Sequence, residues 1–329
     1  MNIARKSIAI ASLVGAIALS VPAFAETTLR MAVAWPSSIA QVGVVLQDFQ
    51  DDVAEKSNGS LIIQANGPEA VPPFEQFQPL ASGVFDLLYT VPNYHQAQTG
   101  VGLVLDGVVT QDVEKLRSSG VIDYLNEYYR ENFGVEIIAL VPSPKSQFIL
   151  REPLSEGGIE NMKIRSNPIY DGVVRGLGAI PVSMSPTDAY TSLQKNTLDG
   201  IAFPVHAAAD FRLYEVASFM TRPTWGQSTI ALMMNSDKLN SMSDGDRAIL
   251  IDAALKMEHD GTVFLEELAA EQNRIMMENG VQETEFTAEQ SEKIDRLFRE
   301  GVLEVARKSR PDDVEAFVKF ATGAGVIPQ

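Results

Sequence analysis

His95, His206 and His259 are the only imidazoles in this chain of 329 residues, and it holds no cysteine. Without thiols there is no disulfide framework, no Cys-ligated zinc or iron–sulfur centre and no thiol nucleophile. No G-x-S-x-G elbow places a serine as nucleophile, no Walker loop cradles phosphates, no G-x-G-x-x-G joins a strand to a helix, and no H-E-x-x-H pairs imidazoles on a helix face. A metal would have to rest on carboxylates alone, so neither a metal site nor a cofactor is expected. What remains is hydrogen bonding and ion pairing. The residue types therefore point to binding, with no catalytic residues and no enzyme activity. Asn58-Gly59-Ser60 matches a glycosylation acceptor but reads as a turn that ends a helix.

The elements that must position such groups alternate. Short β-rich runs at 28–34, 60–65 and 85–90 are separated by amphipathic stretches at 40–56 and 74–82, a βαβαβ opening. A helix over 111–133 and a strand over 135–141 follow. The alternation then restarts with strands at 148–150 and 163–165 and helices at 168–177 and 187–195. Charge-rich helices over 243–277, 288–308 and 312–324 close the chain. Two α/β lobes follow from this order. The junction Val141-Pro142-Ser143-Pro144 is too short for a loose tether and reads as a hinge.

Both lobes carry one short pattern, L-x-x-[GN]-x-x-D: Leu80 to Asp86 in the first and Leu193 to Asp199 in the second. In each, Gly83 or Asn196 takes the left-handed position that ends a helix, and the Asp opens a strand. Each strand then runs into a Pro-containing loop, one ending in His95 and the other in His206. Ligands of open α/β sheets collect beyond the carboxyl ends of strands, so these loops are expected to face one another across a cleft. The two histidines are read as hydrogen-bonding or packing residues rather than catalytic bases.

Length suggests about two domains. With 26 Lys+Arg against 43 Asp+Glu and a net charge of −17, the chain is poorly suited to a nucleic-acid partner, whose affinity rests on basic residues meeting phosphates. The N-terminus joins Arg5 and Lys6 to an apolar run over 8–19 and an Ala23-Phe24-Ala25 cleavage pattern, so residues 1–25 read as a secretory signal peptide and the mature protein as exported.

The segment from 159 to 204 is the most specific. Ile159-Glu160-Asn161-Met162-Lys163-Ile164-Arg165, Gly178-Ala179-Ile180-Pro181-Val182, Asp188-Ala189-Tyr190-Thr191-Ser192-Leu193-Gln194 and Leu198-Asp199-Gly200 follow in order. This resembles the solute receptors of TRAP transporters, the tripartite ATP-independent periplasmic carriers, over nearly all of the mature chain. The resemblance implies an α/β two-lobe periplasmic binding protein fold, with a ligand cleft between the lobes and a long bracing C-terminal helix. It implies discontinuous lobes, 26–142 plus 231–270 and 143–230 plus 271–329. The implied function is capture of a small organic acid in the periplasm and delivery to membrane permease subunits driven by an ion gradient, the receptor itself being a monomer. An ATP-driven importer's receptor shares the architecture but not this motif, and a secreted enzyme is the reading of a different class.

By the same resemblance Arg165 pairs bidentately with the ligand carboxylate, a role that suits its planar, always-charged fork. A second cation is expected at Lys145, with Arg151 as an outside candidate. Phe203 replaces a polar Asn of several relatives, Pro186 replaces a ligand-flanking residue, and Trp225 lies where the return crossing begins. Val91, Tyr94 and Trp35 are expected on the facing wall. Together these residues predict an apolar cleft, suited to an aromatic or branched acid more than to a C4-dicarboxylate or a sugar acid.

Overall fold

A computed structural model describes residues 26–327, so the signal peptide read at 1–25 lies outside the described residues. Among the described residues eleven strands form two sheets. The first holds β1 (Thr27–Val33), β2 (Leu61–Asn66), β3 (Leu87–Thr90) and β4 (Val135–Pro142). The second holds β5 (Ser146–Leu150), β6 (Lys163–Ser166), β7 (Ile180–Ser183), β8 (Gly200–Pro204) and β9 (Phe219–Arg222). The chain then returns to the first sheet with β10 (Thr229–Asn235) and ends in the second with β11 (Gln282–Glu285). The orders are β2-β1-β3-β10-β4 and β11-β9-β5-β8-β6-β7. In the first sheet β1 runs parallel to β2 and β3, and β10 lies antiparallel between β3 and β4. In the second, β6 is parallel to both β7 and β8, so the ends of β6 and β8 open on the same side.

β10 is apolar over most of its length and wholly buried because it is central, with covered faces on both sides. Helix Val121–Phe133 buries Val121, Ile122, Leu125 and Tyr129, one stripe at helical spacing. The single helix expected over 111–133 is two, Val113–Ser118 and Val121–Phe133, because Gly120 adopts φ +79° and breaks the hydrogen-bond ladder between them. The helix expected from residue 40 opens as a π-helical turn, Gln41–Leu46, before Gln47–Lys56 continues as α-helix.

Two of the three crossings between the lobes run side by side. The Ser143 amide donates to the Ser228 carbonyl at 2.9 Å, and the two hydroxyls lie 3.0 Å apart. The 35-residue helix Asp244–Glu278 is the brace. It packs on β4, on Gln41–Leu46 and Gln47–Lys56 of the first lobe, and on the turn Val205–Ala207 of the second. Its Glu258 is buried and fixes the register: Arg117 donates to both carboxylate oxygens at 2.6 Å, and the Leu140 amide donates at 2.8 Å. Helix Ala288–Ser309 packs on Asp171–Gly176 of the second lobe and also on Gly100–Leu105 of the first, while Pro311–Gly323 lies against Val121–Phe133. The close approach needs glycines, since a Cβ on Gly172 would lie 2.6 Å from the Gly301 Cα.

Candidate ligand-binding site

Period-two alternation decides which way the end of β6 points. Ile164 enters the core, so Arg165 faces the other side, between Val182 of β7 and Ile201 of β8. Arg165 is 1 % exposed, yet no carboxylate pairs with it among the described residues. Its Nε donates to the Met184 carbonyl at 3.0 Å and its Nη1 to the Ala202 carbonyl at 3.2 Å, while the Phe203 ring centre lies 5.8 Å from the guanidinium. Nη2 has no partner. Burial lowers the guanidinium's pKa, and the Tyr94 and Tyr170 phenols oppose this. A buried cation left in this state is costly unless an anion meets it.

The space beside Arg165 is a cavity of about 40 Å³ between the lobes. That holds only a few waters, so its occupant is compact or the walls part to admit it. Six residues expected at the site line it: Trp35, Val91 and Tyr94 from the first lobe, and Arg165, Pro186 and Phe203 from the second. Trp35 follows β1, and Tyr94 sits on the 3₁₀ turn Pro92–His95 beyond β3, with ring centres 6.1 Å apart. Arg165 is the only charged residue of the lining.

Two expected residues lie elsewhere. Lys145 is exposed and lines a separate hollow with Gly226, Gln227, Asp295 and Arg299. The reason is the strand's start: the crossing turns at Pro144, and the Lys145 carbonyl is held by the Val205 amide at 3.0 Å. Trp225 is buried behind the wall, its ring 5.2 Å from Tyr170, 4.9 Å from Phe148 and 5.9 Å from Phe298. Arg151 borders a third, surface depression beside Glu152 and Glu215.

The lining is more polar than the aromatic residues suggest, because Gln41, Asn93, Ser143, Asn167, His206 and Ser228 also face it. Asn93 Nδ2 donates to Asp106 Oδ2 at 3.4 Å, and Asn93 Oδ1 is buried without a partner. Asp106 is fully buried, accepts a 2.8 Å bond from the Thr229 amide, and is pushed up to about 7 by burial. His206 Nε2 meets Gln41 Oε1 at 2.7 Å across the cleft, and burial pulls its pKa to about 3, so the ring is neutral. Tyr170 accepts from the Ser146 hydroxyl at 2.8 Å, and burial raises it to about 12. A second bridge closes the lobes: the Ala40 amide donates to Asp210 Oδ2 at 2.8 Å, and Gln272 of the long helix donates to Asp210 Oδ1 at 2.7 Å. The only sequence signal for these polar groups was the Pro-containing loops that carry Asn93 and His206.

Among the described residues no cluster of three or more His, Asp or Glu side chains is set to hold a metal ion, and no helix is long and apolar enough to cross a membrane.

The profile of DctP, bacterial extracellular solute-binding protein family 7, matches residues 31–309. The ectoine/5-hydroxyectoine-binding periplasmic protein UehA of Ruegeria pomeroyi is 22 % identical over 311 residues, 89 % of this chain and 90 % of that protein. The ectoine-binding periplasmic protein TeaA of Halomonas elongata is 29 % identical, but the match spans 42 % of this chain and 41 % of TeaA. Two solved structures share the fold. DctP7 of Bordetella pertussis, an extracytoplasmic solute receptor binding pyroglutamic acid, superposes with a TM-score of 0.78 at 14 % identity, covering 91 % of this chain and 99 % of its own. A TRAP periplasmic solute-binding protein of Desulfovibrio salexigens with bound orotic acid gives 0.79 at 15 % identity, covering 90 % and 98 %.

Proposed function

The chain belongs to family 7 of the bacterial extracellular solute-binding proteins, the periplasmic receptors of TRAP transporters, and from that premise we propose that Arg165 captures the carboxylate of a compact organic acid held between the two lobes. The observation that carries this reading is the buried guanidinium with an unpartnered Nη2 and no carboxylate among the described residues paired with it. Receptors of this family bind small solutes and work with membrane permease components. This one, in our reading, hands its acid as a monomer to an ion-gradient-driven permease and performs no chemistry on it. Pyroglutamic and orotic acid, named with the two similar structures, are compact ring acids with one carboxylate each, in keeping with the single cation of the lining. A C4-dicarboxylate would bring a second charge, for which the lining holds no second cation.

A thermal-shift screen of monocarboxylic acids identifies the ligand class, since an acid at 100 times its Kd adds about 2.7 kcal/mol of stability. Arg165→Ala then costs on the order of 2–5 kcal/mol of binding by leaving a desolvated anion unpaired. Calorimetry checks this against a circular dichroism control for folding. Unchanged affinity in a folded Arg165→Ala protein rules the role out.

A further inference from the structure

Three buried polar atoms of the cavity lining have no partner among the described residues, the charged donor Arg165 Nη2 and the neutral acceptors Asn93 Oδ1 and His206 Nδ1, and the first acceptor is set by a group outside the lining. Asp106 lies at the end of the 3₁₀ segment Gly100–Leu105, wholly buried behind the first-lobe wall. Its Oδ1 is taken by the Thr229 amide of β10, and its Oδ2 faces the side-chain amide of Asn93. Above its value of about 7 the carboxylate is ionised and can only accept, so there the end of Asn93 turned toward it is the NH2. The amide is planar, and Oδ1 is therefore turned away from Asp106, where it has no partner within the protein although Asn93 lines the cavity. From the opposite lobe, His206 donates Nε2–H to Gln41 Oε1. Its neutral ring then offers Nδ1 as a lone pair, and this atom too is buried without a partner.

We propose that Asp106 is a positioning residue that sets the hydrogen-bond polarity of the first-lobe wall through Asn93, so that the site selects carboxylates carrying an N–H or O–H donor over acids of the same shape that offer a lone pair. The proposal rests on the reading that Arg165 takes the carboxylate. A ligand donor satisfies the buried acceptors, whereas a ligand lone pair faces them and leaves every one unpaired. The order of parts matters: Arg165 admits acids as a class, and the acceptors choose among them. Aromatic walls alone would not discriminate between such isosteres.

Pyrrole-2-carboxylate and furan-2-carboxylate test this, because the two rings have the same shape and differ at one ring position, N–H in the first and an oxygen lone pair in the second. The measurement is competition binding at alkaline pH, above the Asp106 value of about 7. The wild type is expected to favour the pyrrole acid by about tenfold or more, the scale of one buried hydrogen bond. In Asp106→Asn the new side chain keeps an oxygen for the Thr229 amide and turns an NH2 toward Asn93. Asn93 must rotate to accept it and so present its own NH2 to the cavity, and the preference is expected to collapse or reverse. Asn93→Leu, which removes both amide ends, brings the ratio toward one and serves if Asp106→Asn does not fold. A wild type that prefers the furan acid or holds both equally, or a folded Asp106→Asn protein with an unchanged ratio, overturns the proposal. If both acids bind alike and Arg165→Ala loses both, the selection idea fails alone. If the wild type holds neither acid, selection is overturned, and if Arg165→Ala also retains every thermal-shift hit, the carboxylate reading falls with it.

Discussion

The loops that leave β3 and β8 grow from the same short sequence form, and their histidines end in different places. Gly83 and Asn196 both take a positive φ, +73° and +60°, so the helix-to-strand turn repeats in each lobe. Beyond the strands the likeness stops. His95 turns back on its own lobe, its Nε2 3.0 Å from the Thr90 hydroxyl and its ring 5.8 Å from Phe77. His206 reaches across the cleft to Gln41. The difference follows from what lies opposite. The first loop runs on into Gln96–Thr99 and Gly100–Leu105, which fold over it, whereas the second faces the start of the Gln41–Leu46 turn in the other lobe. Repetition of a turn thus repeats a backbone path, while the partner of each side chain depends on the facing surface. The same holds for the two walls of the cavity. The second lobe brings the charge on Arg165, and the first brings Asn93 and the aromatic pair Trp35 and Tyr94.

Three measurements would sharpen or break this comparison. The largest effect is expected where the second loop begins. Phe203 is both core and wall, so Phe203→Ala is expected to destabilise by about 3–5 kcal/mol, against about 1–2 kcal/mol for Val91→Ala in the first loop. Denaturant unfolding of both variants checks the order, and equal losses would mean that the walls are built alike.

Next comes pH, where the histidines act together and Asp106 acts against them. His95 and His206 are buried neutral, pulled from 6.5 to about 4 and about 3. Below pH 6.5 the unfolded chain takes up protons that the folded one refuses, so each ring lowers stability as pH falls, by up to a few kcal/mol near pH 4. Asp106 has the opposite sign. Its folded value of about 7 lies above the usual 3.8, so its contribution is present at acid pH and is lost as pH rises toward 7. Hence His95→Gln and His206→Gln should each flatten the acid limb, and Asp106→Asn should steepen the rise of stability between about pH 4 and 7. Thermal melts across that range decide it, and an unchanged slope in all three variants would contradict the buried-neutral reading of both loops.

The smallest effect separates the two loops most cleanly. His206→Ala deletes an interlobe bond worth about 1 kcal/mol together with the cavity acceptor Nδ1, and should weaken ligand affinity about fivefold or more. His95→Ala removes an intralobe bond and should alter melting while leaving affinity in place. Titration of a thermal-shift hit into both proteins checks this, and equal losses of affinity would erase the distinction.

Local chemistry in the chain determined the alternating strands and helices, the two-lobe α/β plan, the helix-ending Gly83 and Asn196, and the strand end that carries Arg165. These follow from side-chain periodicity and turn propensity, which act over a few residues. The family resemblance rested on four short motifs over 159–204 together with the first-lobe run from Phe74 to Asp86, and the profile match covers residues 31–309. The cavity's composition was legible only in part. Lys145 and Trp225 stand near the motif in sequence, but one turns outward at the crossing and the other enters the core beneath Tyr170. Conversely, Gln41 meets His206 across 165 residues of chain, and Thr229 meets Asp106 across 123. No local pattern encodes such pairs. They arise when two sheets built from interleaved segments bring particular faces together, and only that packing decides which buried polar atoms find partners in the protein and which are left to meet a ligand.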